Sequence, residues 1–201
     1  MPIKTKGTLK LQAILDQFQI ELNETVCADF GCNVGGFTQE LLTRGAKEVF
    51  AIDTGYGALD WSLRQNSKVI VKERCNALYL DNLPKMDLIV IDMAWTKQEK
   101  SIPAALKHLK ESGSIVSLLK PQYEAPAKKK GKAIIFTQEE AFSIACNVFK
   151  KQMPNQNYKK SLYSSPIQGG SKQKGSHEFW IVIQPKNNYD LKAIKSPIPV
   201  F

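Results

Sequence analysis

The sequence is poor in the residues that most often announce a function. It has two histidines, His108 and His177, in 201 residues. Its four cysteines, Cys27, Cys32, Cys75 and Cys146, form no Cys-x-x-Cys pair. A zinc centre needs several such ligands at close spacing, so no metal is expected, and reduced, buried thiols of a cytoplasmic protein are. No apolar run approaches the roughly 18 residues of a membrane helix; residues 88–91 and 115–119 are typical short ones. No apolar leader follows Met1, so no secretory address is expected. Arginine is scarce, with Arg44, Arg64 and Arg74 the only three among 28 basic residues. Lysine is a mobile point charge, whereas arginine reads acceptors in pairs, so any nucleic-acid contact is expected at phosphates rather than base edges. The glycine-rich first turn fits neither G-x-G-x-x-G nor G-x-x-x-x-G-K-[ST], which excludes the dinucleotide fingerprint and the phosphate loop.

What is present is an ordinary globular composition, 43% hydrophobic and 23% charged, at a length that suits one domain. The net charge of +9 is divided unevenly: residues 1–100 sum to −1 and residues 101–201 to +10. By itself such an excess serves solubility as well as nucleic-acid contact.

Apolar runs and helical stripes alternate along the chain. A helical stripe covers residues 8–18, and strands are expected over residues 26–30, 48–52, 68–71, 87–91, 114–119, 158–163 and 178–183. Helices are expected over residues 37–44, ended by Gly45, and over 59–64 and 138–152, with another over 100–111 ended by Gly113. Continuous apolar strands alternating with helices imply a parallel sheet covered on both faces. The last two strands, joined without a helix, imply an antiparallel pair at one edge. The expectation is an α/β, doubly wound, mostly parallel seven-stranded sheet with an antiparallel edge strand, a Rossmann-like domain over residues 1–185, and a tail over 186–201.

Ligands of such sheets sit at the carboxyl ends of the strands, and here those ends carry Asp29-Phe30-Gly31, Asp53, Asp92 and Lys120. The first turn reads Asp29-Phe30-Gly31-Cys32-Asn33-Val34-Gly35-Gly36-Phe37-Thr38. Glycines let backbone approach a ligand closely, and Asp53 falls where an acid accepts both hydroxyls of a ribose. A cofactor with a ribose, an amino-acid end and no phosphates fits, namely S-adenosyl-L-methionine. The alternative is a plain tight turn. Asp29, Gly31, Gly35, Gly36 and Asp53 are the candidate contacts.

Several separated motifs resemble the FtsJ-like RNA 2′-O-ribose methyltransferases, nearest to the TlyA, or haemolysin A-like, branch. They are the first turn; Asp53-Thr54-Gly55-Tyr56-Gly57 followed by Leu59, Trp61 and Leu63-Arg64; and Lys120-Pro121-Gln122-Tyr123-Glu124. Ser165-Pro166-Ile167 with Gly169-Gly170, Glu178-Phe179, and Thr5-Lys6-Gly7-Thr8-Leu9-Lys10-Leu11 continue the likeness, which spans residues 5–184. The resemblance implies the methyltransferase variant of the doubly wound fold, and methyl transfer from S-adenosyl-L-methionine to a ribose 2′-hydroxyl, with ribosomal RNA or a ribosomal subunit as partner. It implies a Lys-Asp-Lys-Glu tetrad at Lys10, Asp92, Lys120 and Glu178, with Lys4 or Lys6 as alternatives to Lys10. It places cofactor contacts at Gly31, Gly35, Phe37, Asp53, Asn76 and Asp92.

Such a reaction needs the hydroxyl proton partly removed. A lysine does that only as the neutral amine, against a reference pKa of about 10.4. Lys120 is assigned to orient and deprotonate the hydroxyl, Lys10 to supply a neighbouring cation. Asp92 and Glu178 orient the lysines but raise their pKa values, so the influences compete. RNA contact is expected at Lys6, Lys128, Lys129, Lys130, Lys132, Lys172 and Lys174, and stacking at Tyr123, Phe136 or Tyr163. The chain departs from the branch in two ways. With the Lys-Leu pair at residue 10, no N-terminal S4-type domain is expected, and substrate choice is then expected to rest on the basic half, the RNA's shape or an accessory protein. Met93-Ala94-Trp95-Thr96 after Asp92 is also nearer the FtsJ pattern. A methyltransferase for another substrate class and a non-catalytic RNA-binding factor are the rival readings; a literal cytolysin is set aside for want of any membrane segment.

Overall fold

The computed structural model describes residues 5–125, 136–152, 157–169 and 176–186. Seven strands, β1 (Val26–Phe30), β2 (Glu48–Ile52), β3 (Val69–Lys72), β4 (Met86–Ile91), β5 (Leu109–Leu119), β6 (Tyr158–Ser164) and β7 (Phe179–Pro185), make one sheet in the order β3-β2-β1-β4-β5-β7-β6. The helices among the described residues are α1 (Lys6–Gln17), α2 (Gly36–Thr43), α3 (Trp61–Arg64), α4 (Gln98–Leu106), α5 (Pro121–Glu124) and α6 (Gln138–Lys151).

β1 to β5 pair in parallel, and β7 is antiparallel to both β5 and β6. The sheet is thus mostly parallel, as its apolar strands imply, and its one antiparallel strand lies one place in from the edge. Burial explains that place. Phe179-Trp180-Ile181-Val182-Ile183 is buried throughout and needs a neighbour on each side, whereas β6, with Lys159 and Lys160, is only half-buried and suits an edge.

The strands sort their side chains by alternation. Ala28, Phe30, Ile89, Ile91, Ile115, Leu119, Phe179, Ile181 and Ile183 face one layer, with α4 and α6 residues such as Ile102, Ala141 and Ala145. Cys27, Leu88, Val90, Val116, Leu118, Trp180 and Val182 face the other, with Leu11, Ile14 and Leu15 of α1 and Leu41 of α2. Apolar residues on both faces are what a sheet with two helical layers requires.

The helix expected over residues 100–111 ends at Leu106, and β5 starts at Leu109. Gly113, expected as its stop, lies inside β5, where the β4–β5 register shifts between Met86 and Leu88. A Cβ there would sit 2.8 Å from the Met86 carbonyl oxygen, so the glycine serves a bulge rather than a helix end. Of the expected tail over 186–201, residues 187–201 lie outside the described ones. No helix among the described residues is long and apolar enough to cross a membrane.

Strand order reverses beside β1, whose neighbours are β2 and β4. A doubly wound sheet opens a crevice at the carboxyl end of that reversal.

Candidate active site

The turn after β1 is built by close backbone approach. Gly31 and Cys32 both donate their N–H to the Ile52 carbonyl oxygen, at 2.8 and 3.1 Å. Gly31 has φ +91°, and a Cβ there would lie 2.5 Å from the Asp92 carbonyl oxygen. Only glycine lets the end of β1 lie in this conformation against the end of β4. Gly35, at φ +96°, starts α2, and a Cβ on it would run into Leu63 and Leu59. Gly36 touches the start of α1, with Thr8 Oγ1 donating to its carbonyl oxygen at 3.2 Å. Thr5 and Thr8 close a capping box on that helix.

Asp53 ends β2, and its carboxylate accepts from two loops: Oδ2 from the Asn33 N–H at 2.9 Å and Oδ1 from the Gly55 N–H at 2.7 Å. Each oxygen accepts one of these bonds, and a carboxylate oxygen has capacity for a second. Asn76 is exposed, and its Oδ1 accepts from the Leu78 N–H at 3.0 Å, capping a short turn after β3. The Phe37 ring is buried against Trp180, centroids 5.8 Å apart. Its side chain therefore belongs to the core.

Asp29 is fully buried, and its Oδ2 accepts from both the N–H and the hydroxyl of Thr38, at 2.9 and 2.7 Å. It caps α2 from the strand side. Its Oδ1 is buried and has no partner among the described residues. Burial pushes the carboxyl up from 3.8 to about 7, with Thr38 pulling the other way and Asp92 adding to the rise. The folded protein thus binds this proton more tightly than the unfolded chain. Raising the pH from about 4 to about 7 works against the fold, and above that range the effect is constant. Three pKa units correspond to roughly 4 kcal/mol. Asp29→Asn removes this penalty, so its Tm relative to the parent is expected to climb by about 10 °C between pH 4.5 and 8 in thermal melts. A constant difference across that range would place the charge elsewhere.

Four charged side chains gather beyond β4, β5 and β7. Register brings two of them together: β5 and β7 pair Leu119 with Phe179, so Lys120 and Glu178 are the next opposed residues. Lys120 Nζ donates to Asp92 Oδ1. Lys10, on the buried face of α1, donates to Glu178 Oε2 at 2.5 Å, with 9% and 3% of the two side chains exposed. Gly169 lies where a Cβ would meet Glu178 Oε1 at 2.2 Å. Burial draws Lys120 down, but Asp92 and then Glu178 more than offset it, so its pKa lies above the ordinary value. Burial raises Glu178 in spite of Lys10 and Lys120. The ion pairs therefore act on one another as one cluster.

Trp95 was visible in the sequence only as a departure in the run after Asp92. It is 84% exposed, in the left-handed region at φ +62°, and packs on Tyr123 with ring centroids 4.9 Å apart. Lys120 Nζ lies 6.0 Å from the Tyr123 ring. The signal for Trp95 was a large aromatic in a polar run next to a strand-end acid. Lys6 is exposed at the start of α1. Lys4, Lys128, Lys129, Lys130, Lys132, Lys172 and Lys174 lie outside the described residues.

Comparison with known proteins agrees with this architecture. Residues 3–184 match the FtsJ-like methyltransferase family. The chain is 40% identical over 123 residues to the 16S/23S rRNA (cytidine-2′-O)-methyltransferase TlyA of Mycobacterium tuberculosis, a match that covers 60% of this chain and 46% of that one. It is 30% identical over 150 residues to the 23S rRNA (cytidine-2′-O)-methyltransferase TlyA of Campylobacter jejuni, covering 73% and 58%. The chain thus spans about half the length of these relatives. The crystal structure of a "putative hemolysin" from Lactococcus lactis superposes with a TM-score of 0.80 at 29% identity, over 92% of this chain and 89% of that one. With motifs in one order, a methyltransferase sheet and a family match running from residue 3 to residue 184, the chain belongs to the FtsJ-like methyltransferases.

Proposed function

We propose that this chain transfers a methyl group from S-adenosyl-L-methionine to a ribose 2′-hydroxyl of ribosomal RNA. The observation that carries the reading is the paired cluster Lys10–Glu178 and Lys120–Asp92, set at the same end of the sheet as the glycine turn. A cofactor site alone suits any methyltransferase; two lysines held by two acids suit activation of a hydroxyl. The names of the TlyA relatives, given for ribosomal RNA and cytidine 2′-oxygen, support the substrate class.

The residues present fit the cofactor. The Gly31–Gly35–Gly36 turn offers backbone free of side chains. Asp53 keeps acceptor capacity for ribose hydroxyls, and Asn76 stands on the neighbouring loop. Asp29 supports the turn from below and leaves one buried oxygen for a donor. Asp92 borders both the turn and Lys120. The cofactor, when bound, supplies an electrophilic methyl on a sulfonium. The protein's own work is to hold the nucleotide, orient its 2′-oxygen, and take the proton at Lys120 Nζ. In-line placement of oxygen and methyl supplies a large share of the acceleration. Exposed Trp95, packed on half-buried Tyr123, offers a stacking surface beside the reacting hydroxyl. We assign phosphate contact to Lys6, Lys128, Lys129, Lys130, Lys132, Lys172 and Lys174, six of them in the basic second half.

The test is transfer of a labelled methyl group to total RNA and to protein extract in parallel. Label in RNA, resistant to alkaline cleavage at the modified position, is the expected result. Label confined to protein or small molecules overturns the substrate. Absence of S-adenosyl-L-methionine binding in calorimetry points to a non-catalytic RNA-binding factor instead.

A further inference from the structure

The loop after β4 is sewn to the segment after β5 by three contacts. Asp92 pairs with Lys120, Trp95 packs on Tyr123, and the Gln98 N–H donates to Glu124 Oε1 at 2.8 Å. Along the loop these anchors fall three residues apart. Gln98 is the most buried of them, at 4% exposure. Its Oε1 accepts from Ser117 Oγ at 2.6 Å, and its Nε2 donates to the Leu118 carbonyl oxygen at 3.2 Å. Gln98 therefore bonds to β5 just before Lys120 and to α5 just after it.

Helix economy alone does not require this. Lys97, at the N-cap of α4, makes no side-chain cap, and the Glu124 carboxylate instead satisfies the first amide of the helix from another element. A buried glutamine stabilises only when its groups are all partnered, and here they are. The loop between the anchors also holds Trp95 at positive φ, a conformation that costs about 1–3 kcal/mol and persists where the surroundings over-determine it.

We infer that Gln98 and Glu124 are positioning residues, a latch that holds the Asp92–Trp95 loop against Lys120 so that the acid, the lysine and the stacking pair keep one geometry toward RNA. The inference rests on the methyltransferase reading above. The latch lies away from the glycine turn and Asp53, so it acts on RNA placement and turnover rather than on cofactor affinity.

The experiment compares Glu124→Ala and Glu124→Gln in a Trp61→Phe background, which leaves Trp95 as the exposed indole. Glu124→Ala is expected to lower kcat by about 10- to 100-fold, to raise acrylamide quenching of Trp95, and to leave S-adenosyl-L-methionine affinity within about twofold. Glu124→Gln keeps an oxygen that accepts the Gln98 N–H, and is expected to restore both kcat and quenching. Parental kcat and quenching in Glu124→Ala overturn the latch, and so does a lowered melting temperature with unchanged kcat. A Glu124→Gln variant as defective as the alanine one also overturns it. Should Glu124→Ala fail to fold, Gln98→Met removes the two bonds to β5 and is read by the same criteria. If the parent protein does not methylate RNA, the functional reading falls, while quenching and hydrogen exchange at the Gln98 amide still decide the latch.

Discussion

Lys120→Ala is expected to abolish methyl transfer, by roughly 10³-fold or more, while S-adenosyl-L-methionine still binds. Removing a general base costs about 10²- to 10⁴-fold, and in the proposed mechanism Lys120 also orients the hydroxyl. Lys120→Arg is expected to be as inactive, because a guanidinium does not give up its proton. The pH profile carries the sharper test. Burial favours the neutral amine, but Asp92 and Glu178 outweigh it and raise Lys120 above its ordinary value. At neutral pH the amine is then almost wholly protonated, and the neutral fraction grows about tenfold per pH unit below that pKa. The single-turnover rate is therefore expected to climb through pH 7 to 9 without a plateau. Asp92→Asn takes away the strongest influence that raises Lys120, so its rise should begin at lower pH even though its maximal rate is smaller. Activity in Lys120→Arg, or a flat profile from pH 7 to 9, would leave Lys120 an orienting cation with the proton lost elsewhere.

The parts of this site that were legible in the sequence are those fixed locally. Asp53, Asp92 and Lys120 each follow an apolar run directly, and a strand end in a parallel sheet is a known address. The glycine turn was legible because it follows a strand and precedes a helical stripe. Lys10 was legible only through the resemblance. Its burial depends on where α1 docks, and Lys4 and Lys6 offered the same side chain nearby. What the sequence hid was made by long-range pairing. Gly113 looks like a helix stop until Met86 is laid beside it. The packing of the Phe37 ring on Trp180 depends on where β7 lies, 143 residues further on. Gln98 carries no local signal at all, since its partners lie 19 to 26 residues away. Asp29 was grouped with the cofactor residues, and the structure turns its carboxylate inward onto Thr38.

Glu178→Ala is expected to be the most destabilising of the site variants, by about 3–5 kcal/mol, because it strands the Lys10 ammonium in the core without its carboxylate. For a chain of this length that corresponds to a fall in Tm on the order of 10 °C. A buried ion pair is nevertheless weak evidence that charge is needed for stability, since desolvation consumes most of the attraction. Apolar residues of similar volume often do as well. The double variant Lys10→Met, Glu178→Leu is therefore expected to regain most of the lost stability. It is expected to remain inactive, because the cation beside Lys120 and the acid opposite it are both gone. Single and double variants thus separate two roles that any one substitution confounds. A double variant that melts normally and methylates RNA at the parental rate would make the pair a packing device and remove it from the chemistry. Parental stability in Glu178→Ala would mean that Lys10 reaches water, and with that the case for a desolvated lysine pair around the 2′-hydroxyl would lose its footing.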